Sequence, residues 1–284
     1  MRERRTAYMF VLPALILLIA AVIFPMVFSI NVALRKYDLR LPTEDYPFIG
    51  IDNFLRAARD KYFLNSLLIT LQFVVMGIAL QFPIGLGVAV LLSRFRWRRY
   101  VLPAIAIPVL TPPIVAGYIG IILFHPDGVV NYFLSLLGAS KIPWYSRPDT
   151  ALITCVLIDT WQWYPFITLI LLAGILSIPP EYIEAARIDG ASERSIFRHI
   201  ILPMLRGVIA VALIFRMLEM LRVFDVIYIV TYGGPGTATQ VTNFYSYLVG
   251  FHYWDLGYAA AMGWILVVIL SILVTYYMRA FRVS

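Results

Sequence analysis

Six long apolar runs dominate the chain, at residues 8–34, 66–93, 101–124, 150–178, 207–230 and 257–278. Each is long enough to cross roughly 30 Å of hydrocarbon as a helix, which takes about 20 residues. Pro83, Gly85 and Pro108 interrupt two of the runs, but neighbouring helices in a membrane can satisfy the backbone groups such residues free. The pattern predicts an all-α polytopic membrane protein with six transmembrane helices. The first run is longer than the roughly 7–15 apolar residues of a signal-peptide core and lacks a small-residue cleavage site, so it reads as an uncleaved span. One interval breaks the pattern: residues 181–203, between the fourth and fifth runs, are charged and helix-like.

Composition agrees, with 61% hydrophobic residues, 14% charged residues and a mean hydropathy of +0.83. The charges also choose an orientation. The two tails, 94–99 and 181–206 together hold thirteen basic residues (Arg2, Arg4, Arg5, Arg94, Arg96, Arg98, Arg99, Arg187, Arg194, Arg198, Arg206, Arg279 and Arg282) against five acidic ones (Glu3, Glu181, Glu184, Asp189 and Glu193). The opposite loops hold eight of each sign. The positive-inside rule therefore predicts that both termini and the charged interval are cytoplasmic. The formal net charge of +7 then reflects topology, and no nucleic-acid partner is expected.

Little in the chain resembles a reaction centre. Cys155 is the single cysteine, lies in the fourth run and reads as a small buried hydrophobe, with no internal disulfide possible. His125, His199 and His252 are too scattered for metal-ligand spacing, so no metal is expected. The glycine-rich stretch 231–237 lacks the lysine of a phosphate-binding loop, and G-x-x-x-x-G-K-[ST] occurs nowhere. No cofactor is expected on this chain, and energy from ATP would have to come from another subunit. The outer loops predict a glycine turn with a short helix at 48–54, a turn at 126–128 followed by a short amphipathic segment at 131–137, and a compact turn at 231–237.

The charged interval has its own grammar. Pro179 and Pro180 end the fourth run, and Glu181 and Glu184 sit near the start of the next helix, where negative charge is favourable. Ala185, Ala186 and Gly190 leave a face with little side-chain bulk. Gly190 should end this helix and Ser192 cap a second, whose apolar side carries Ile196, Phe197, Ile200 and Ile201. Physics alone allows either an interfacial loop or a docking element.

The residues themselves go further. Glu184-Ala185-Ala186, then Asp189-Gly190-Ala191, then Phe197 and Leu202-Pro203, closely resemble the EAA loop of ABC-importer permeases. Ile49-Gly50-Ile51-Asp52-Asn53-Phe54, Asn65-Ser66, Gly128-Val129-Val130-Asn131 and Gly233-Gly234-Pro235 resemble carbohydrate-uptake members, specifically the first permease of the maltose-transporter class. Tyr232 departs from that pattern, standing where a small residue is expected. The resemblance covers nearly the whole chain. It implies a single permease domain over 1–284, with a core at 66–280 and a coupling loop at 181–203 that docks on an ATPase. It also implies a second homologous permease, two ATP-binding subunits carrying ATP and Mg, an extracytoplasmic solute-binding protein, and no enzymatic activity on this chain.

Polar residues inside the spans are the remaining candidates, because ionisable groups in a membrane are costly. Arg216, Glu219, Arg222 and Asp225 recur every three residues in the fifth run, as an internally neutralised packing stripe or as lining of a solute path. Asp159, Trp161, Gln162 and Trp163 suit sugar hydroxyls and ring faces, or simply pack around a kink at Pro165. Gln72 and Gln81 read as interhelical hydrogen bonds. The chain is thus expected to be a sugar-importing permease subunit. An ion-coupled secondary carrier using the fifth-run charges is the alternative, and a membrane-embedded enzyme lacks converging reactive groups.

Overall fold

The computed structural model describes residues 11–41 and 45–281. Residues 8–10 of the first predicted span lie outside the described residues, as do Arg2, Glu3, Arg4, Arg5, Glu44 and Arg282. In chain order the helices are α1 (Val11–Ala33), α2 (Asp52–Ala57), α3 (Lys61–Arg94), α4 (Arg98–Leu110), α5 (Pro113–Leu123), α6 (Val129–Leu136) and α7 (Pro148–Leu176). They continue as α8 (Pro180–Ile188), α9 (Glu193–Met204), α10 (Arg206–Leu221), α11 (Asp225–Val230), α12 (Thr242–Tyr247) and α13 (Leu256–Phe281). Among the described residues extended pairing is limited to two isolated bridges, Arg35 with Phe48 and Asp38 with Asp255.

Four helices, α1, α3, α7 and α13, are long and apolar enough to cross a membrane, and the number rises to six if two bent pairs each count as one. The bend between α4 and α5 corrects the expectation of a continuous third span. The other bent pair is α9 and α10, which meet at 66° about Leu205, and the fifth run is broken separately farther on. The third run divides into α4 and α5, which meet at 94°. Thr111 is extended there (φ −74°, ψ 129°) because the following proline disfavours helix, and Pro112 has no N–H to donate. The fifth run ends as helix at Leu221, and α11 begins only at Asp225 after Phe224 leaves helical geometry (φ −145°, ψ −54°). No proline or glycine marks this second break, so tertiary contacts make it.

The described chain divides into two compact units, one of residues 1–64 and 245–269, the other of 65–244 and 270–284. In the larger unit α7 is the axis. The share of its most apolar window that is buried is 61%, against 0% for α1 and 28% for α3. Its apolar core gathers Ala89 and Leu92 of α3, Ile167, Leu171 and Ile175 of α7, and Ile196, Ile201 and Leu205 beyond it. A Cβ on Gly85 would lie 2.8 Å from Ile167 Cγ2, so only glycine lets α3 approach α7 this closely.

In the smaller unit one carboxylate organises the polar contacts. Asp60 accepts hydrogen bonds at 2.7 Å from the hydroxyls of both Tyr245 and Tyr258, and at 2.8 Å from the Tyr62 N–H. Arg56 lies 4.0 Å over the Tyr258 ring and pairs with Asp255 at 2.6 Å. Burial pushes the Asp60 carboxyl up, but the two phenols and the backbone N–H groups of Tyr62 and Phe63 outweigh it, leaving it below the ordinary 3.8. Burial, then the Asp60 charge, push the Tyr245 phenol above its ordinary 10.0. Stability from Asp60 is therefore present above pH 3.8 and lost as pH falls through the lower folded value, while that from Tyr245 is present below pH 10.0 and lost on further alkalinisation. In thermal melts the advantage of the native protein over Asp60→Asn should be constant between these limits and shrink at about pH 3. An advantage unchanged at that pH would contradict this assignment.

Candidate functional site

The charged interval folds as the sequence suggests. Pro180 starts α8, Glu181 lies in its first turn, and Gly190 terminates it at φ +76°. The Gly190 N–H bonds the Arg187 carbonyl at 3.0 Å and the Ala191 N–H bonds the Ala186 carbonyl at 2.9 Å, the paired bonds of a left-handed helix stop. Ser192 then caps α9 by accepting from the Ser195 N–H at 3.3 Å. Glu184, Ala185, Asp189 and Gly190 are exposed, whereas Ala186, Ala191 and Phe197 pack against the apolar core of the larger unit. Leu202 and Pro203 are half-buried in the turn before α10.

Two ion pairs not expected from the sequence hold this element. Glu193 is gripped by Arg187 at 3.0 Å and by Arg94 of α3 at 2.8 Å, which ties α8 and α9 to the end of a span. Ile188 is 86% exposed at the end of α8. The signal was available: Ile188 has no place in the apolar periodicity that buries Ile183 and Ala186.

The second site lies where α3, α7 and α10 meet. Arg216 is buried, donates from Nε to Gln81 Oε1 at 2.7 Å, and forms an ion pair through Nη2 with Asp159 Oδ2. Gln81 Nε2 donates to the same carboxylate at 2.7 Å, so both ends of its amide are used. The Arg216 guanidinium also lies 4.9 Å from the Trp163 ring centre. Buried charge in low dielectric persists only when paired and hydrogen-bonded, and each member of this triad supplies what the others need.

This arrangement corrects the single charged stripe. Arg216 pairs across to α7 rather than along α10 to Glu219. Only Glu219 and Arg222 pair at i,i+3, at 2.5 Å and in an exposed position. Asp225 belongs to the next helix. Gln81 makes the expected interhelical bonds, whereas Gln72 is exposed.

A cavity of about 100 Å³ adjoins the triad, lined by Asp159, Gln162, Trp163, Arg216, Glu219, Arg222 and Asp225 together with Pro113, Val223, Phe224 and Val226. Trp161, placed with these residues by the sequence, is not part of the lining. Both helix breaks reach this point, one through Pro113 and the other through 223–224. The buried Gln162 amide donates to the Thr111 carbonyl at 2.9 Å and so satisfies a group the first break frees. Irregular backbone at membrane depth is tolerated where it is buried in protein or lines a polar cavity.

A model of the family described as binding-protein-dependent transport system inner membrane component matches residues 81–283. The chain belongs to this family. Among curated relatives, the trehalose/maltose transport system permease protein MalF of Thermococcus litoralis is 37% identical over 258 residues, covering 90% of this chain and 85% of its own. The trehalose transport system permease protein SugA of Mycobacterium tuberculosis is 32% identical over 240 residues, covering 84% and 77%. A chain from the crystal structure of a bacterial alginate ABC transporter, in complex with alginate pentasaccharide-bound periplasmic protein, superposes with a TM-score of 0.86 at 23% identity, covering 100% of this chain and 96% of that one. That last likeness shows the fold.

In this inner membrane transport component the cavity depends on Gln162 to hold the first break. Gln162→Leu leaves the Thr111 carbonyl unpaired, at a cost of about 1–3 kcal/mol. The purified variant should melt measurably below the native protein, and equal melting temperatures would contradict the proposed role of that bond.

Proposed function

We propose that this chain is one permease subunit of an ATP-driven, binding-protein-dependent importer for a sugar. The observation that carries the reading is the joining, within one unit, of an exposed small-residue helix at 184–190 to a polar and aromatic cavity at two helix breaks. The named relatives supply the sugar class. The cavity adds carboxylate, amide and guanidinium groups that suit hydroxyls, with Trp163 and Phe224 offering ring faces. The ion-coupled alternative loses its charged stripe, since Arg216 is committed to Asp159 and Gln81.

The rest follows as proposals. Each bent pair counts as one span, giving six, and the arginine distribution puts both termini and α8 in the cytoplasm. There Glu184, Ala185, Asp189 and Gly190, with Ile188, dock on an ATP-binding subunit that carries ATP and Mg. Ala186, Ala191, Phe197, Leu202 and Pro203 fix that surface to the membrane core. A second homologous permease, a second ATP-binding subunit and an extracytoplasmic solute-binding protein complete the machine. Asp159, Gln162, Trp163, Arg216, Glu219, Arg222 and Asp225 border the solute path. A space of about 100 Å³ is too small for a disaccharide, so passage requires the helices to move apart.

Reconstituted with its partners in vesicles, the importer should take up labelled sugar with ATP and without an ion gradient. Gly190→Asp should assemble normally yet lose uptake by roughly tenfold or more, because a charged side chain enters a close contact. Gly190→Asn, which tolerates the same backbone, separates charge from strain and should retain more activity. Import by Gly190→Asp at the native rate would remove the coupling role.

A further inference from the structure

We propose that Phe224, Tyr228 and Tyr232 form a stacking track for the pyranose rings of a neutral sugar, leading away from the polar cavity. The inference rests on the sugar-permease reading and adds two residues, Tyr228 and Tyr232, which that reading does not use. The rings follow each other at intervals of four, Phe224 just before α11, Tyr228 within it and Tyr232 just past its end. Phe224 lies 5.3 Å from Tyr228 with an interplanar angle of 23°, and Tyr228 lies 5.4 Å from Tyr232. The innermost ring, Phe224, is itself part of the cavity lining, alongside Trp163. The row therefore continues the site rather than standing apart from it.

The row is backed but not buried. Phe244 is fully enclosed and touches all three rings, with centroids 6.2 Å from Phe224, 6.4 Å from Tyr228 and 5.1 Å from Tyr232. Phe224 and Tyr228 remain half-buried and Tyr232 is 48% exposed. A row of partly exposed aromatic rings suits the apolar C–H faces of a sugar, while its hydroxyls stay available to water or to the cavity's polar groups.

Tyr232 carries the argument furthest. Its backbone lies at φ +50°, a conformation that suits glycine and penalises a tyrosine. Backbone strain at a residue whose ring is half-exposed beside the cavity row points to a role in function. The cavity charges indicate the cargo. Asp159, Glu219 and Asp225 outnumber Arg216 and Arg222, which favours a neutral sugar over an acidic one.

The test uses the complete importer in vesicles, with trehalose and maltose as probes, and compares Tyr232→Phe, Tyr232→Leu and Tyr232→Gly. Tyr232→Phe should transport like the native protein. Tyr232→Leu and Tyr232→Gly should lose roughly tenfold in uptake at low sugar, while sugar-loaded binding protein still stimulates ATP hydrolysis. Tyr232→Gly also relieves the backbone, so its melting temperature should hold or rise as uptake falls. Native uptake by Tyr232→Leu and Tyr232→Gly would overturn the track, as would a melting temperature of Tyr232→Gly that drops in step with uptake. If the native importer moves neither these nor any other sugar, the permease reading itself fails and the track fails with it.

Discussion

Arg216 carries a permanent charge on a side chain that is 2% exposed, among helices built almost wholly of apolar residues. Left alone in such surroundings it would cost several kcal/mol or more. Asp159 neutralises it, and Gln81 bonds both partners at once. The three residues come from α3, α7 and α10, so the requirement to satisfy one guanidinium fixes three spans relative to each other. Apolar packing by itself discriminates weakly among helix registers in lipid, where the surrounding tails are as apolar as the helices. The polar triad supplies that discrimination, and the two helix breaks and the cavity sit directly beside it.

The same unit carries a second device of the opposite character. The surface at 184–190 is exposed and light in side chains, and it is held from behind by Ala186, Ala191 and Phe197 in the apolar core and by Glu193 between two arginines. Exposed ion pairs are individually worth little, about 0–1 kcal/mol, but here they link a helix to the end of a span. The apolar core runs from Ile196 and Leu205 through α7 to Ala89 of α3. A close-packed path of this kind transmits displacement, because packed interiors shift as bodies rather than deform. The exposed surface at 184–190 and the cavity thus belong to one compact unit.

How much of this was legible in the sequence differs from residue to residue. The α8–α9 turn could be read because each step has a local cause: Pro180 at the start, Gly190 at φ +76°, Ser192 as cap. The break at Thr111 was available from Pro112 but was masked by the apolar run around it. The break at 222–224 was not available, since nothing local forces it. For the same reason the charged residues of the fifth run looked like one stripe. Arg216 has an acid at i+3, and only the tertiary structure reveals a better partner on α7. Gln81 was visible as a polar residue in a span, but its role needs two partners, one 78 and the other 135 positions away. Tyr232 was legible as a departure from the expected small residue, and its left-handed backbone explains why a small residue suits that position.

The central claim is that the Arg216–Asp159–Gln81 triad holds the larger unit together, and thermal unfolding of three purified variants tests it most directly. Asp159→Leu and Arg216→Met each leave an uncompensated or unpaired polar group and should cost on the order of 3–5 kcal/mol, with a large fall in melting temperature. The double variant removes both charges, so its loss should fall short of the sum of the two singles by at least about 1 kcal/mol of coupling. Single variants that melt like the native protein, or a double variant whose loss equals the sum of the two, would contradict the account.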